Sequence, residues 1–375
     1  MSDVVISGSG LWTPEHIITN QELVESYNAW ADQFNAANQQ AIEQGDIAAK
    51  PHSSAEFIEK ASGIRQRHVY IKDGILEPSR MRPRIPERSE DMISDQAQMA
   101  VNAAKLALKA ANKSAEDIDA VIVSCAITQR SFPAISIEVQ QELGIKGFGF
   151  DMLVACSAAT FGLHRAYEMV KAGTAKAVLV INPELTSPLV NYTDRDSHFI
   201  FGDVATAAVV EGKDDCHSDS WFEIISTKAE TVFSNNIRAN IGYVNHANDS
   251  DPTAADKLFY QHGRKVFKEV CPMAAEHISS HLAQHNIEIP GVTRWWLHQA
   301  NINMNLLIVK KLLGRDASAE EAPIVLDTYA NTASAGSLIA FHLHQDNLQV
   351  GDIGVLCSFG AGYSIGSLLL RKASV

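Results

Sequence analysis

Residues 150–162 read FDMLVACSAATFG and residues 325–336 read VLDTYANTASAG. The fold is decided by treating these as two versions of one segment. In each, an Asp is followed after a short gap by a polar residue, then by small residues and a Gly. VIVSCAITQ (121–129) lies upstream of the first and RWWLHQANIN (294–303) upstream of the second. Downstream come AVLVI (177–181) and IGVLC (353–357). Ser124 and His298 fall at like places in their runs, 32 residues before Cys156 and 33 before Asn331. A duplicated α/β unit predicts that Cys156 and Asn331 occupy matching positions in two halves and face each other across a pseudo-twofold axis.

The rest of the chain extends this pattern. AVIVSCA (120–126), AVLVIN (177–182) and TAAVVE (206–211) have the Val and Ile content of buried strands. IGVLCS (353–358) and SIGSLLLRK (364–372) read as a closing strand pair. Over residues 97–111, helical spacing puts Ala97, Ala100, Val101, Ala104, Leu108 and Ala111 on one face, and Ser114 opens a polar turn. Strands alternating with helices predict α/β layers. The expected division is 1–212 and 213–375, with insertions at 26–53 and 71–93. The first insertion is rich in Ala, Gln and Asn and predicts an extra helical hairpin or lid. The second, with Pro78, Pro83, Pro86 and several Arg, predicts a long loop.

Composition narrows the function. At 375 residues with 46% hydrophobic and 20% charged residues, the chain is globular and large enough for two packed units. Its net charge of −13 argues against nucleic acid, which needs a basic footprint. An acidic protein partner then requires a local basic patch. No run reaches the roughly 18 apolar residues of a membrane span, and MSDVVISGSGLWTP lacks the features of a signal peptide. Five cysteines without a CxxC pair predict neither a disulfide nor a zinc framework. A reducing, cytoplasmic setting follows, in which one cysteine can be a working thiol.

Cys156 is the candidate. VACSAATFGLHRAYEMVKAG places it at a strand-to-helix turn, with a helix running to Gly173. The positive end of a helix dipole lowers a thiol below its usual value of about 8.5, so a depressed pKa is expected. The bland alternative is a core cysteine. His298, in WWLHQAN, is followed by polar Gln299 and Asn301 where a buried edge would be apolar. Asn331, in TYANTASAGS, precedes a small-residue helix start and has capping as its plain alternative. Chemistry unites the three. A thiolate can hold an acyl group as a thioester, and losing CO2 from a malonyl unit leaves charge on a thioester oxygen. A neutral His and an Asn amide can donate to that oxygen, each such donor being worth roughly 2.7–4 kcal/mol. SFGAGYSIG (358–366) adds a turn whose Gly360 and Gly362 let backbone N–H groups approach a ligand.

ACSAATFG, HQAN, ANTASAGS and SFGAGYSIG together resemble the β-ketoacyl-acyl-carrier-protein synthase III family, and GIRQRH (63–68), FPAISIEVQQELGIKG (132–147), FGD (201–203) and KVFKEV (265–270) extend the resemblance. The insertions and DRDSHFIFGD look most like its medium-chain-primed, β-ketodecanoyl branch, which takes octanoyl-CoA. The resemblance implies a thiolase-like fold of two duplicated halves layered α-β-α-β-α. It implies acyl-CoA and malonyl-acyl carrier protein as substrates, no cofactor, and a homodimer. Carried over by position, Cys156 is the acylated nucleophile, His298 and Asn331 stabilise the enolate, and the N–H groups of Cys156 and Ala361 form the oxyanion hole. Phe132 reaches the partner's acyl pocket. Phe57, Arg195, Phe267 and Asn301 contact CoA, and Lys268, Lys310 and Lys311 receive the carrier protein. Some positions depart from the pattern. Phe57 replaces a Trp, Ala61 an Arg, and Asn303 a docking Arg, while Ala361 replaces the middle of three glycines and therefore needs a negative φ.

Competing readings lack parts. A thiolase needs a second cysteine as base at the glycine turn, and Cys357 sits one residue before that position, which Ser358 fills. A hydroxymethylglutaryl-CoA-synthase-like enzyme needs a Glu base that the sequence does not locate. A head-to-head acyl condensing enzyme shares the three residues. A non-catalytic acyl-binding protein has no need of all three.

Overall fold

A computed structural model of the chain describes residues 3–242, 247, 249, 251 and 254–375. The first part of the chain folds as β1 (Val4–Trp12), β2 (His16–Thr19), α1 (Asn20–Ala37), α2 (Gln39–Glu43), α3 (Ala55–Ser62), β3 (Gln66–Val69), α4 (Asp95–Ala110), β4 (Ala120–Cys125), α5 (Ile135–Leu143), β5 (Phe148–Leu153), α6 (Ala158–Lys171), β6 (Ala177–Glu184) and β7 (Val204–Gly212). Then follow β8 (Ser220–Ser234), β9 (Ile237–Ala239), β10 (Phe259–Gln261), α7 (Gly263–Gln284), β11 (Val292–Leu297), α8 (Ile302–Leu313), α9 (Leu326–Tyr329), α10 (Ala335–Leu343), β12 (Ile353–Gly360) and β13 (Gly362–Ser374).

Nine strands pair in the order β11-β12-β13-β8-β1-β7-β6-β4-β5. Only Val5↔Glu223 and Ile6↔Phe222 join β1 to β8, and the same pattern runs outward from that seam on both sides. On one side β1–β7 and β7–β6 are antiparallel and β6–β4 parallel. On the other, β8–β13 and β13–β12 are antiparallel and β12–β11 parallel. Thus β4 answers β11, which explains the matched places of Ser124 and His298.

Side chains along a strand point alternately to its two faces, and here both faces are covered. Ile122 and Val180 from one group of strands, with Trp296, Leu356 and Leu368 from the other, enclose α6 and α10 in a common core. Every residue from Ala335 to Phe341 of α10 is buried, as expected for a helix that is apolar all round. The alternate residues Val121, Val123 and Leu179 pack outward under α4 and α5. Trp295, Leu297 and Val355 do the same under α7 and α8. The layers therefore run α, β, α, β, α, and all six helical positions predicted on one face of 97–111 are buried.

The 26–53 insertion departs from the expected hairpin. Its first part continues α1, which starts from a Thr19–Glu22 capping box and buries Tyr27 and Ala31. After the short α2 the chain returns without a second long helix. The return carries Gly45 and Pro51, and a helix of a few residues does not hold by itself. Asn28 and Asn35 clamp it by donating to the carbonyls of Ser53 and Lys50 at 3.1 and 2.9 Å. Residues 71–93 form a loop as expected, tied by Arg84 to Asp73 and Glu77 and by Arg88 to Asp95. Among the described residues no helix is long and apolar enough to cross a membrane.

Candidate active site

A single 3-10 turn, Ala155–Ser157, carries Cys156 from β5 to the start of α6. Ala155 has φ 45°. That left-handed conformation costs an L-residue about 1–2 kcal/mol and persists where neighbours over-determine it. One such constraint is Ser157 Oγ, which donates to the carbonyl of Ser364 at 2.8 Å. Another is Gly360, where a Cβ would lie 2.5 Å from Cys156 Cβ and 3.0 Å from Sγ. The glycine therefore makes room for the thiol itself. The backbone N–H groups of Ala361 and Cys156 favour the anionic form of the sulfur. Ala361 is not among the residues of positive φ, so alanine fits the turn.

The expected low thiol pKa is not found. Burial pushes Cys156 up to about 12, and the nearby Glu184 carboxyl adds to the rise. The two N–H donors pull the other way, but loss of water around an anion outweighs them. The resting group is a thiol. Cys357, inside β12, is fully buried and its thiol is raised by burial as well. It is a strand cysteine, as its position one residue before the turn predicted.

His298 closes β11, with its N–H on the carbonyl of Cys357 at 2.8 Å. Its ring stands edge-on to Phe359, 5.3 Å between centroids. Burial lowers its pKa to about 4, so the imidazole is neutral at pH 7. Among the described residues its buried Nδ1 has no hydrogen-bond partner. Asn331 sits on a bridge to Phe201, its N–H on the carbonyl of Ile200 at 2.9 Å. The N–H of Ala333 donates to Asn331 Oδ1 at 2.9 Å. That bond fixes the amide's orientation and keeps Nδ2 as the end with donors to offer. Ala330 and Ala333, at φ 57° and 46°, put two more left-handed residues beside the site.

Cys156, His298 and Asn331 line one cavity of about 270 Å³. Phe57, Phe267 and Asn301 line it too. Both ends of the Asn301 amide are engaged: Oδ1 caps α8 by accepting from Asn303, and Nδ2 donates to the carbonyl of Ala61. Arg195 lies outside the lining, its guanidinium 3.9 Å above the Phe57 ring and its Nε on the carbonyl of His52 at 2.8 Å. Phe132 is 85% exposed and is not part of the cavity. Lys268, Lys310 and Lys311 are exposed on α7 and α8, helices that also supply Val266, Phe267 and Met304 to the wall.

Sequence reading missed several groups. Phe199, Phe201 and Phe259 form an aromatic wall; DRDSHFIFGD contains the first two, but nothing in it assigned them to the cavity. Arg264 and Lys265 are exposed beside the lining residue Gly263; Lys265 opens KVFKEV and Arg264 precedes it, which was the one hint. Glu184 is a fully buried carboxyl whose charge bears on Cys156, and its one signal is an acid closing a buried strand.

Comparison with known proteins fits this geometry. Residues 150–230 match the family model for 3-oxoacyl-acyl-carrier-protein synthase III, and residues 282–372 match the model for its C-terminal part. A β-ketodecanoyl-acyl-carrier-protein synthase of Pseudomonas aeruginosa is 57% identical over 349 residues, covering 93% of this chain and all of that one. The chain belongs to the synthase III family. A β-ketoacyl-acyl-carrier-protein synthase III of Granulibacter bethesdensis is 28% identical over 375 residues, covering 99% of this chain and all of the other. The crystal structure of the Aquifex aeolicus synthase III superposes with TM-score 0.76 at 26% identity, covering 98% and 99% of the two chains. The thiolase-like fold expected from the motifs is thus the one observed. As a synthase III the protein is an acyltransferase, a condensing enzyme of fatty acid biosynthesis that joins an acyl-CoA to malonyl-acyl carrier protein.

Proposed function

We propose that this synthase III loads a medium-chain acyl group from acyl-CoA onto Cys156 and extends it to the 3-oxoacyl carrier protein. One observation carries the reading. A single cavity holds a thiol with two backbone N–H donors, a neutral imidazole, and an amide oriented to present Nδ2.

In the first half-reaction Cys156 Sγ bonds to the thioester carbonyl carbon and the bond to CoA sulfur breaks. The carbonyl oxygen takes its transient charge toward the N–H groups of Cys156 and Ala361, and the thiol proton leaves with CoA. In the second, the bond between the malonyl α-carbon and its carboxylate breaks and CO2 departs. The electron pair enters an enolate whose oxygen receives hydrogen bonds from Asn331 Nδ2 and His298. Because buried Nδ1 has no partner, the proton belongs on Nε2, since an unmet N–H costs more than an unmet lone pair. The α-carbon then bonds to the acyl carbonyl carbon, the bond from that carbon to Cys156 Sγ breaks, and the thiolate takes up one proton from solvent. The electrons come from the broken C–CO2 bond, so no cofactor is required.

Other parts of the reading have their own support. The name of the Pseudomonas relative specifies a ten-carbon product, which an eight-carbon primer plus two carbons would make. Arg195 and Phe57 stand where CoA would enter, and Lys268, Lys310 and Lys311, with Arg264 and Lys265, offer a basic face to an acidic carrier protein on a chain of net charge −13. The outer side of β5 is an open sheet edge flanked by exposed Leu153, Phe148 and Phe132. Such edges are normally covered, and a second copy related by a twofold axis is the occupant we assign. The repeated strand order supports a division near residue 212 into two duplicated halves. Five free cysteines support a reducing, cytoplasmic location.

The test is intact-mass analysis after incubation with acyl-CoAs of graded length, followed by malonyl carrier protein. An octanoyl adduct on wild type, absent from Cys156→Ala and discharged with CO2 release, is expected. A folded wild type that takes no acyl group from any of them defeats the reading.

A further inference from the structure

One buried carboxyl is unused by the chemistry above. Glu184 ends β6 and is fully enclosed. It accepts from the N–H of Ala126, just past β4, at 3.1 Å. It also accepts from the N–H of Ser334 at 3.2 Å and, at shorter range, from Ser334 Oγ. Glu184 and Ala126 lie on the β1–β7 side of the sheet seam, whereas Ser334 precedes α10 on the other stretch of chain. The carboxyl therefore ties the two together within the central layer.

What it ties is the Asn331 loop. Ser334 follows Ala333, whose N–H fixes Asn331 Oδ1 at 2.9 Å. Ala330 and Ala333 hold left-handed φ values of 57° and 46°, and such residues need neighbours that over-determine them. Glu184 supplies that constraint through both donors of Ser334. A carboxylate near a helix start is also a simple cap, but a cap has no reason to act on a nucleophile. Glu184 does act on one, since its charge is a cause of the raised Cys156 thiol.

We infer that Glu184 is a positioning residue of the condensing site: it holds the Asn331 loop, through Ser334, against the end of β4. The titratable groups facing it are Asp203, Cys125 and Cys156, and its hydrogen bonds come from neutral donors. Burial lifts it to about 7, against the bonds from Ser334 and Ala126. Around neutrality it exchanges its proton. Ionised, it adds to the rise that burial imposes on the Cys156 thiol; protonated, it leaves burial alone to act.

The inference rests on Cys156 being the acylated nucleophile. That reading fails if wild type forms no acyl adduct. The present inference is tested separately by alkylating Cys156 with iodoacetamide across pH and following intact mass. In Glu184→Gln the opposing charge is gone at every pH. The alkylation midpoint should move down by about 1–2 pH units, making reaction at a fixed pH below it about tenfold faster or more. Gln also offers one carbonyl oxygen to three donors, so the loop loosens. Condensation by the preloaded acyl-enzyme should then fall more than its formation does. A folded Glu184→Gln whose alkylation profile coincides with wild type overturns the charge coupling. Ser334→Ala serves as a second variant should Glu184→Gln fail to fold. It removes one donor between the carboxyl and the loop, and the ratio of condensation rate to acylation rate should drop about tenfold. An unchanged ratio in Ser334→Ala overturns the positioning role.

Discussion

Gly360→Ala isolates what the glycine turn does for the nucleophile. Gly360 ends β12, pairs with Ser364 of β13, and is not among the glycines of positive φ. Alanine therefore meets no backbone penalty there, and its effect is steric alone. The added Cβ would stand 2.5 Å from Cys156 Cβ and 3.0 Å from Sγ. Comfortable carbon–carbon separations begin at about 3.5 Å, so roughly 1 Å of movement is required. β12 is held between β11 and β13, so the movement falls on the 155–157 turn, where Ala155 is already left-handed. Overpacking of this kind costs about 1–3 kcal/mol. For a chain of this length that lowers the melting temperature by about 1–4 °C. A 1 Å misplacement of a reacting atom costs about a hundredfold in rate. Calorimetry reads the first effect and the rate of octanoyl adduct formation by mass the second. A Gly360→Ala protein that acylates at the wild-type rate refutes the argument that this glycine exists to seat the sulfur.

Three further outcomes are expected. His298→Ala or Asn331→Ala should still form the acyl adduct but lose about 10²–10³ in condensation, measured as CO2 release; failure of either folded variant to acylate contradicts the assigned roles. Burial lowers His298 and His198 to about 4 and His281 to about 3, with His277 and His285 adding to the last. These rings are neutral in the fold, while the unfolded chain binds protons below about 6.5, so stability should be full above that pH and decline as pH falls from there toward 4. Urea titrations at a series of pH values check the slope, and a flat profile would contradict it. Leu153→Lys, at the open edge of β5 where Leu153 is 57% exposed, should convert a dimer to monomer in sedimentation; a monomeric wild type removes the dimer from the proposal.

Much was legible before any coordinates. Periodicity and residue type placed the strands, the buried face of 97–111 and the matched segments around Cys156 and Asn331. These depend on local pattern and on duplication, and both leave marks in sequence. HQAN and the glycine turn pointed to residues that line one cavity, because a strand end and a tight turn are also local. The pKa of Cys156 was misjudged because the dipole of a helix start is visible in sequence, whereas the removal of water is not. Helical content in residues 26–53 was recognised, but their return path depends on Asn28 and Asn35 finding carbonyls fifteen or more residues away.

By itself, the sequence determined the alternation of layers and the doubled architecture, and it singled out the thiol, imidazole and carboxamide that we propose as working groups. Residue type and period are properties of the chain, and they survive without contacts. Only the tertiary structure decided that these groups share one cavity, that the N–H of Ala333 holds Asn331 Oδ1, and that Glu184 is buried with Ser334 on its carboxyl. Each of those facts joins residues distant in sequence or measures exclusion of water, and the electrostatics of a buried site depend on both.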